Sequence, residues 1–336
     1  MIPKLVLNDS IIKYESGVFI MKKKNILLGS FLALLASASY GAMFPVADDA
    51  FNHISPYYFT LYRYIPVTIV LMIALLIFEG KKAFKTEGQG LILWMFGIMG
   101  FVFYNLLIFV GQDMIGDDGV LIASIMEGAA PIISIIVMWA AYKSRPSLFT
   151  FLTIIGAFIG VFLVVTNGDF SVLIGGNRLF PLFILFIAAL GWAVYTIGGS
   201  HFSKWSVLRY STLSVLYGTA TAAVVVLIGS LMGLIPVPTL EETYNVRYHM
   251  SFMIILPGII ALLGWNKAVQ ILTPINAILF INFAPVTTII IRVIQGHDIG
   301  VLEIIGVALV ISMIVANNLY QRYVSKKISS KHENAA

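Results

Sequence analysis

The chain has no cysteine, which excludes disulfides and thiolate-held metals. It is also poor in charge. Only 11% of its 336 residues are Asp, Glu, Lys or Arg, against about 25% in an ordinary soluble domain. A water-soluble chain so short of charge could not cover its surface. Enzyme signatures are missing as well. There is no GxxxxGKS or GxxxxGKT run, so no ATP motor is evident, and no HExxH or GxSxG. His53, His201, His249, His297 and His332 are dispersed, so a histidine metal centre is not expected. Neither catalysis nor a cofactor is expected. The net charge of +5 does not imply nucleic acid, because lysine is normal beside membrane spans.

What is present is apolar. Hydrophobic residues make up 59% of the chain, and the mean hydropathy is +0.94. The expected partner is a lipid bilayer, and the expected class is an all-α polytopic membrane protein. A bilayer core takes roughly 20 apolar residues per helix. Ten runs qualify, at 26–46, 57–79, 91–111, 119–142, 148–166, 179–199, 212–234, 250–270, 274–294 and 299–320. Turn signals such as GDDG (116–119) and KSRPS (143–147) separate them. Lysine and arginine orient the spans. Lys22–Lys24, Lys81, Lys82, Lys85, Lys143, Arg145, Lys204, Arg209 and the tail residues Arg322, Lys326, Lys327 and Lys331 fall on one side. That side is expected to be cytoplasmic, with both termini on it, in the cell membrane. Asp48, Asp49, Asp117, Asp118, Glu241 and Glu242 mark the other side. Residues 1–20 precede MKKKN (21–25) and read as an upstream extension or a mis-assigned start. The first apolar run reads as an uncleaved helix.

The two halves resemble each other at an offset near 150 residues. LTIIGAFIGVFLVV (152–165) matches LEIIGVALVISMIV (302–315), APIISIIV (130–137) matches APVTTIII (284–291), and AALGWAVY (188–195) echoes ASASYGAM (36–43). Each half holds five spans, an odd number, so the second enters from the opposite side. Inverted repeats of this kind accompany alternating-access transport, with the solute near the midplane.

This pattern resembles the EamA type of the drug/metabolite transporter superfamily. TLYRYIPVTIV (60–70) resembles that family's second span. IAALGWAVYTI (187–197) resembles its sixth, and GWNKAVQILTPINAILFINFAPV (264–286) its eighth running into its ninth. The chain departs from the family where Tyr40 replaces a usual Trp and His297 a usual Glu. The resemblance covers about residues 24–320. It implies five-helix repeats at 24–166 and 179–320, an N-terminal segment 1–23 and a basic tail 321–336. It also implies a carrier of small solutes, most often an exporter of amino acids, drugs or other metabolites. A nucleotide-sugar carrier of the same superfamily and a non-transporting scaffold or receptor are the alternatives.

Glu127 is the anomaly inside VLIASIMEGAAPIISIIVMW (120–139). It lies roughly 12 Å below the acidic side at ~1.5 Å per residue, and Arg63 and Asn105 roughly 9 Å. A charge facing lipid there costs at least ~2.5–3.5 kcal/mol, so such residues turn inward. Ser124, Glu127, Pro131 and Ser134 share one helical stripe. Glu127 is expected to bind a coupling proton or cation or a substrate amine, or else to pair with Arg63. Arg63 can instead snorkel outward. Asn282 is an amide in mid-span. Ala188, Trp192, Tyr195 and Gly199 form an aromatic stripe, to which Tyr40 and Trp265 are added as candidate cavity walls. Trp265 reads equally as an interfacial anchor beside Lys267. GAFIG (156–160) and GSLMG (229–233) suit close packing or a homodimer.

Overall fold

Apolar runs interrupted by turn residues and prolines become a bundle of long helices. The computed structural model describes residues 11–13, 19–21, 26–116, 118–143, 146–166, 168–169, 179–296 and 300–333. Its rods are α1 (Ile26–Phe51), α2 (Pro56–Phe78), α3 (Gly90–Ile115), α4 (Gly119–Ala140), α5 (Leu148–Thr166), α6 (Leu179–His201), α7 (Val207–Leu231), α8 (Arg247–Leu272), α9 (Asn276–Ile294) and α10 (Val301–Glu333). Eight of them are long and apolar enough to cross a membrane; α5 and α10 carry shorter apolar stretches, Leu148–Leu163 and Ile304–Tyr320. The helix of α10 runs on to Glu333, so the tail expected to begin at 321 continues the last rod. Ile11–Lys13 and Phe19–Met21 pair as a short antiparallel ladder, a departure from an all-helical chain.

Local chemistry sets the ends and breaks. Pro56 lies in the first turn of α2, where its missing N–H leaves no extra orphan. Ser206 caps α7 by accepting from the Arg209 N–H. α4 breaks at Ala129 and restarts with Pro131 in its first turn. It ends where Lys143 takes a left-handed φ of 52°. α3 and α8 each contain a π-helical segment, Met99–Tyr104 and Ile254–Ile260.

The packing follows the repeat. α3 packs on α6 and α7, and α8 packs on α1 and α2. Exchanging α1 with α6, α2 with α7 and α3 with α8 turns one set into the other. Equivalent helices run antiparallel. Thr68 meets Thr219 while Thr212 donates to the Leu71 carbonyl between α2 and α7. Between α5 and α10, Gly156 faces Met313 and Gly160 faces Gly306. The glycines of GAFIG thus serve contact within the chain.

Burial is inverted relative to a soluble protein. Leu27, Ile77, Phe78, Leu152 and Ile294 are exposed on the outside, whereas Arg63, Asn105, Gln112, Glu127 and Asn282 are buried inside. Helix backbones approach most closely at glycine. A Cβ on Gly41 would lie 2.1 Å from the Ala284 carbonyl oxygen of α9. Gly41→Ala should therefore cost about 1–3 kcal/mol by overpacking. A thermal melt of the detergent-purified variant should show a lower midpoint; an unchanged midpoint would contradict this packing.

Candidate functional site

Seven of the eight residues singled out from sequence are joined by contacts in the bundle interior. Arg63 and Glu127 are each 0% exposed, so neither faces lipid and Arg63 does not snorkel to a surface. The alternative for Glu127, an ion pair with Arg63, is not formed. The Tyr104 hydroxyl donates to Glu127 Oε1 at 2.6 Å, and Glu127 Oε2 has no protein partner. Arg63 Nη1 reaches Asn105 Oδ1 at 3.4 Å and the Met43 sulfur at 3.6 Å. Its guanidinium lies 4.6 Å from the Tyr64 ring centroid, and its Nε and Nη2 have no protein partner.

Asn105 holds the arginine in place. Its Oδ1 also accepts from the Tyr64 hydroxyl at 2.8 Å. Its Nδ2 donates at 2.6 Å to the Gly100 carbonyl, which already accepts the Asn105 backbone N–H. The π-helical segment is thus stapled by a side chain. One extra residue in that turn lets neighbours Tyr104 and Asn105 serve different poles, one Glu127 and the other Arg63. Gly100 also lies against the Tyr195 ring, 2.7 Å from where a Cβ would stand.

Tyr104 joins Glu127 to an aromatic box. Trp192 is its centre, 4.6 Å from Tyr104, 5.3 Å from Tyr40, 5.3 Å from Trp265 and 5.8 Å from Tyr195, ring centroid to centroid. Trp265 is fully buried and donates to Thr196 Oγ1 at 3.2 Å, so it is no interfacial anchor. Asn282 is buried and bonds the Leu279 carbonyl; its segment packs against α1 and α4, but no bond joins it to the box. Tyr40 Oη, Trp192 Nε1 and Asn282 Oδ1 lack protein partners. A buried polar atom so left costs about 1–3 kcal/mol, so each of these calls for a partner that the protein itself does not supply. Sequence reading missed Tyr64, Tyr104 and Asn266. Asn266 donates to Tyr195 Oη at 3.0 Å and Ser211 Oγ at 2.8 Å.

A cavity of about 430 Å³ opens at the acidic end of the bundle, lined by Pro45, Asp48, Asp49, Asn52, Val120, Arg292, Gln295 and Gly296. Val120, Ser124 and Glu127 lie on one face of α4, so the cavity stands two helical turns, about 10 Å, from the carboxylate. No cluster of three or more His, Asp or Glu that could hold a metal occurs among the described residues.

Paired helical repeats around a buried polar and aromatic cluster are the build of a membrane transporter. The chain belongs to the EamA-like transporter family, whose model matches residues 27–166 and 179–319. It is 46% identical over 303 residues to "Uncharacterized transporter YrdR" of Bacillus subtilis (strain 168), covering 90% of this chain and 94% of that one. It is 29% identical over 290 residues to "Uncharacterized transporter YyaM" of the same organism, covering 84% and 92%. A solved structure titled "Crystal structure of protein" shares the fold at a TM-score of 0.69 and 17% identity, over 90% of this chain and 99% of that one.

Removing the amide of Asn105 should free both the π-helical turn and the arginine. Asn105→Ala is expected to lose about 1–3 kcal/mol and to accelerate amide hydrogen exchange across residues 100–105. Exchange equal to wild type in that peptide would show that the staple does not hold the turn.

Proposed function

We propose that the protein is a secondary transporter in the cell membrane that exports small zwitterionic metabolites such as amino acids. It works by alternating access of two inverted five-helix repeats, ten spans in all, with both termini cytoplasmic. The observation that carries the reading is the separation of the charges. Arg63 and Glu127 are both fully buried, yet each keeps atoms without a protein partner and neither pairs with the other. A buried charge without a partner is costly, and two opposite ones would ordinarily neutralise each other. A solute carrying a carboxylate and an ammonium compensates both at once, and the rings of Tyr40, Trp192 and Trp265 supply the apolar wall. A scaffold would favour a dry Arg63–Glu127 pair, and the geometry does not support that. Within the proposal, Glu127 is the proton-coupling group, with Tyr104 holding one of its oxygens.

Purified protein in liposomes should move such a solute without ATP, driven by a pH gradient. Failure across amino acids, amines, nucleosides and common drugs, in protein shown to be folded, would contradict transport. Glu127→Gln should abolish pH-driven uptake by at least tenfold while counterflow exchange stays measurable. If the variant's uptake follows pH as wild type does, Glu127 is not the coupling group.

A further inference from the structure

The two ends of the bundle are built differently. At the basic end, the turn between α2 and α3 is fastened to the turn between α6 and α7. Glu87 Oε1 accepts from Arg209 Nη2 at 2.8 Å, and Glu87 Oε2 accepts from Trp205 Nε1 at 3.2 Å. The same Arg209 nitrogen donates to the Lys85 carbonyl, and its guanidinium covers the Trp205 ring at 4.0 Å. Ser206 Oγ donates to Glu79 Oε1, and His201 meets Gln89 at 3.1 Å. Gln270 at the end of α8 donates to the Trp205 carbonyl.

A lone exposed ion pair is weak, but this one is a network with a shared carboxylate. It also holds strained backbone. Glu87 has a φ of 54°, in the left-handed region that disfavours a side chain, and Gly88 follows at 80°. Hydrogen bonds from Arg209 and then Trp205 hold the Glu87 carboxyl below its ordinary pKa, so it stays ionised where most carboxylates begin to protonate.

The clasp also reaches the chamber. Stacked rings run from Trp192 to Tyr195 (5.8 Å), to Tyr210 (5.7 Å) and to Phe202 (5.4 Å), which meets the tilted Trp205 ring at 4.6 Å. Arg209 and Glu87 complete the chain. At the acidic end the cavity stands open, and the described residues there are joined by a His249–Asp49 contact of 2.7 Å between α8 and α1 and by the neutral hydroxyl pairs Tyr58–Ser230 at 2.9 Å and Tyr62–Thr243 at 3.3 Å.

We propose that the Glu87–Arg209–Trp205 clasp is the gate closing the basic end of the chamber, and that the aromatic ladder from Trp192 transmits movement between chamber and gate. The inference rests on the alternating-access reading. A solute wedged against Trp192 displaces the ladder, the indole of Trp205 leaves Glu87, and the strained turn relaxes away from Arg209. The polar layer of Asn266, Ser211 and Ser214 beneath Tyr195 is then uncovered from that side.

The absence of native cysteine makes a direct test available. Ser214, fully buried and 3.3 Å from the Tyr195 hydroxyl, is replaced as Ser214→Cys. Its reaction with a membrane-impermeant maleimide is followed in vesicles of each orientation. The exposed Lys82, as Lys82→Cys in a separate chain, identifies the vesicles that present the basic end. Adding Glu87→Gln should raise labelling from the basic end at least tenfold and leave labelling from the acidic end unchanged or lower. Trp205→Phe keeps the ring but removes its bond to Glu87, and should give a smaller rise of the same sidedness. It serves also if Glu87→Gln does not fold. Unchanged labelling from the basic end, or an equal rise from both ends, overturns the gate. The assay needs no solute. Gated labelling in protein that moves nothing in liposomes would defeat the transport reading alone, and transport with ungated labelling would defeat the clasp alone.

Discussion

The separation of Arg63 from Glu127 is the constraint on which the rest of the chamber depends. In a bundle whose outer surface is Leu, Ile, Val and Phe, an unpaired charge has no water to turn to, and the simplest arrangement would join the two. Each is instead held by a neutral neighbour. Asn105 and the Tyr64 ring hold the guanidinium, and the Tyr104 hydroxyl holds the carboxylate. Tyr104 and Asn105 are adjacent at the end of one π-helical turn, so the groups that hold the two charges are spaced by backbone geometry rather than by a flexible linker. On the proposed reading this arrangement is preorganised for a partner that brings both opposite charges.

Symmetry explains the scaffold, and its failures locate the function. α2 with α7 and α5 with α10 meet their own repeat equivalents, and both repeats place a π-helical segment in their third helix. Yet the first segment is stapled by Asn105 beside two charges, whereas the second is built around Pro257 and Gly258. Likewise Ala284 and Pro285 answer Ala130 and Pro131, but no acid answers Glu127. The ends differ in the same way, one clasped through a shared carboxylate and one open around Asp48 and Asp49. A carrier needs two interchangeable halves to alternate, and it needs unequal chemistry for a solute to prefer one state.

Much of this was legible in the sequence. Apolar runs of span length placed the helix ends to within about five residues, because hydrocarbon thickness fixes span length; the exception is α10, which runs past its apolar stretch to Glu333. The repeat was visible through Gly and Pro, in IIG (154–156 and 304–306) and AP (130–131 and 284–285), whose backbone and packing demands are least replaceable. Arg63 and Glu127 announced themselves because a charge in an apolar run is expensive to bury. Tyr64 and Tyr104 did not, because neutral residues in an apolar run carry no such signal. Regular helical periodicity also fails across Met99–Tyr104, so which residues face inward there cannot be counted off at 3.6 per turn. Trp265 looked like an anchor because it stands two residues from Lys267, but its ring turns toward Trp192. The clasp was unreadable for a different reason. Glu87, in a loop, and Arg209, in the first turn of α7, are separated by over a hundred residues, and nothing periodic relates them.

The most direct measurement is ligand-induced thermal stabilisation with a charge series: L-phenylalanine, phenethylamine lacking the carboxylate, and N-acetyl-phenylalanine lacking the ammonium. The wild type should be stabilised by the zwitterion and much less by either analogue. Arg63→Gln should erase the preference for L-phenylalanine over phenethylamine, and Glu127→Gln the preference over the N-acetyl compound. A wild-type protein that treats the three alike, or an Arg63→Gln protein that keeps the wild-type preferences, would contradict a chamber held open for two opposite charges.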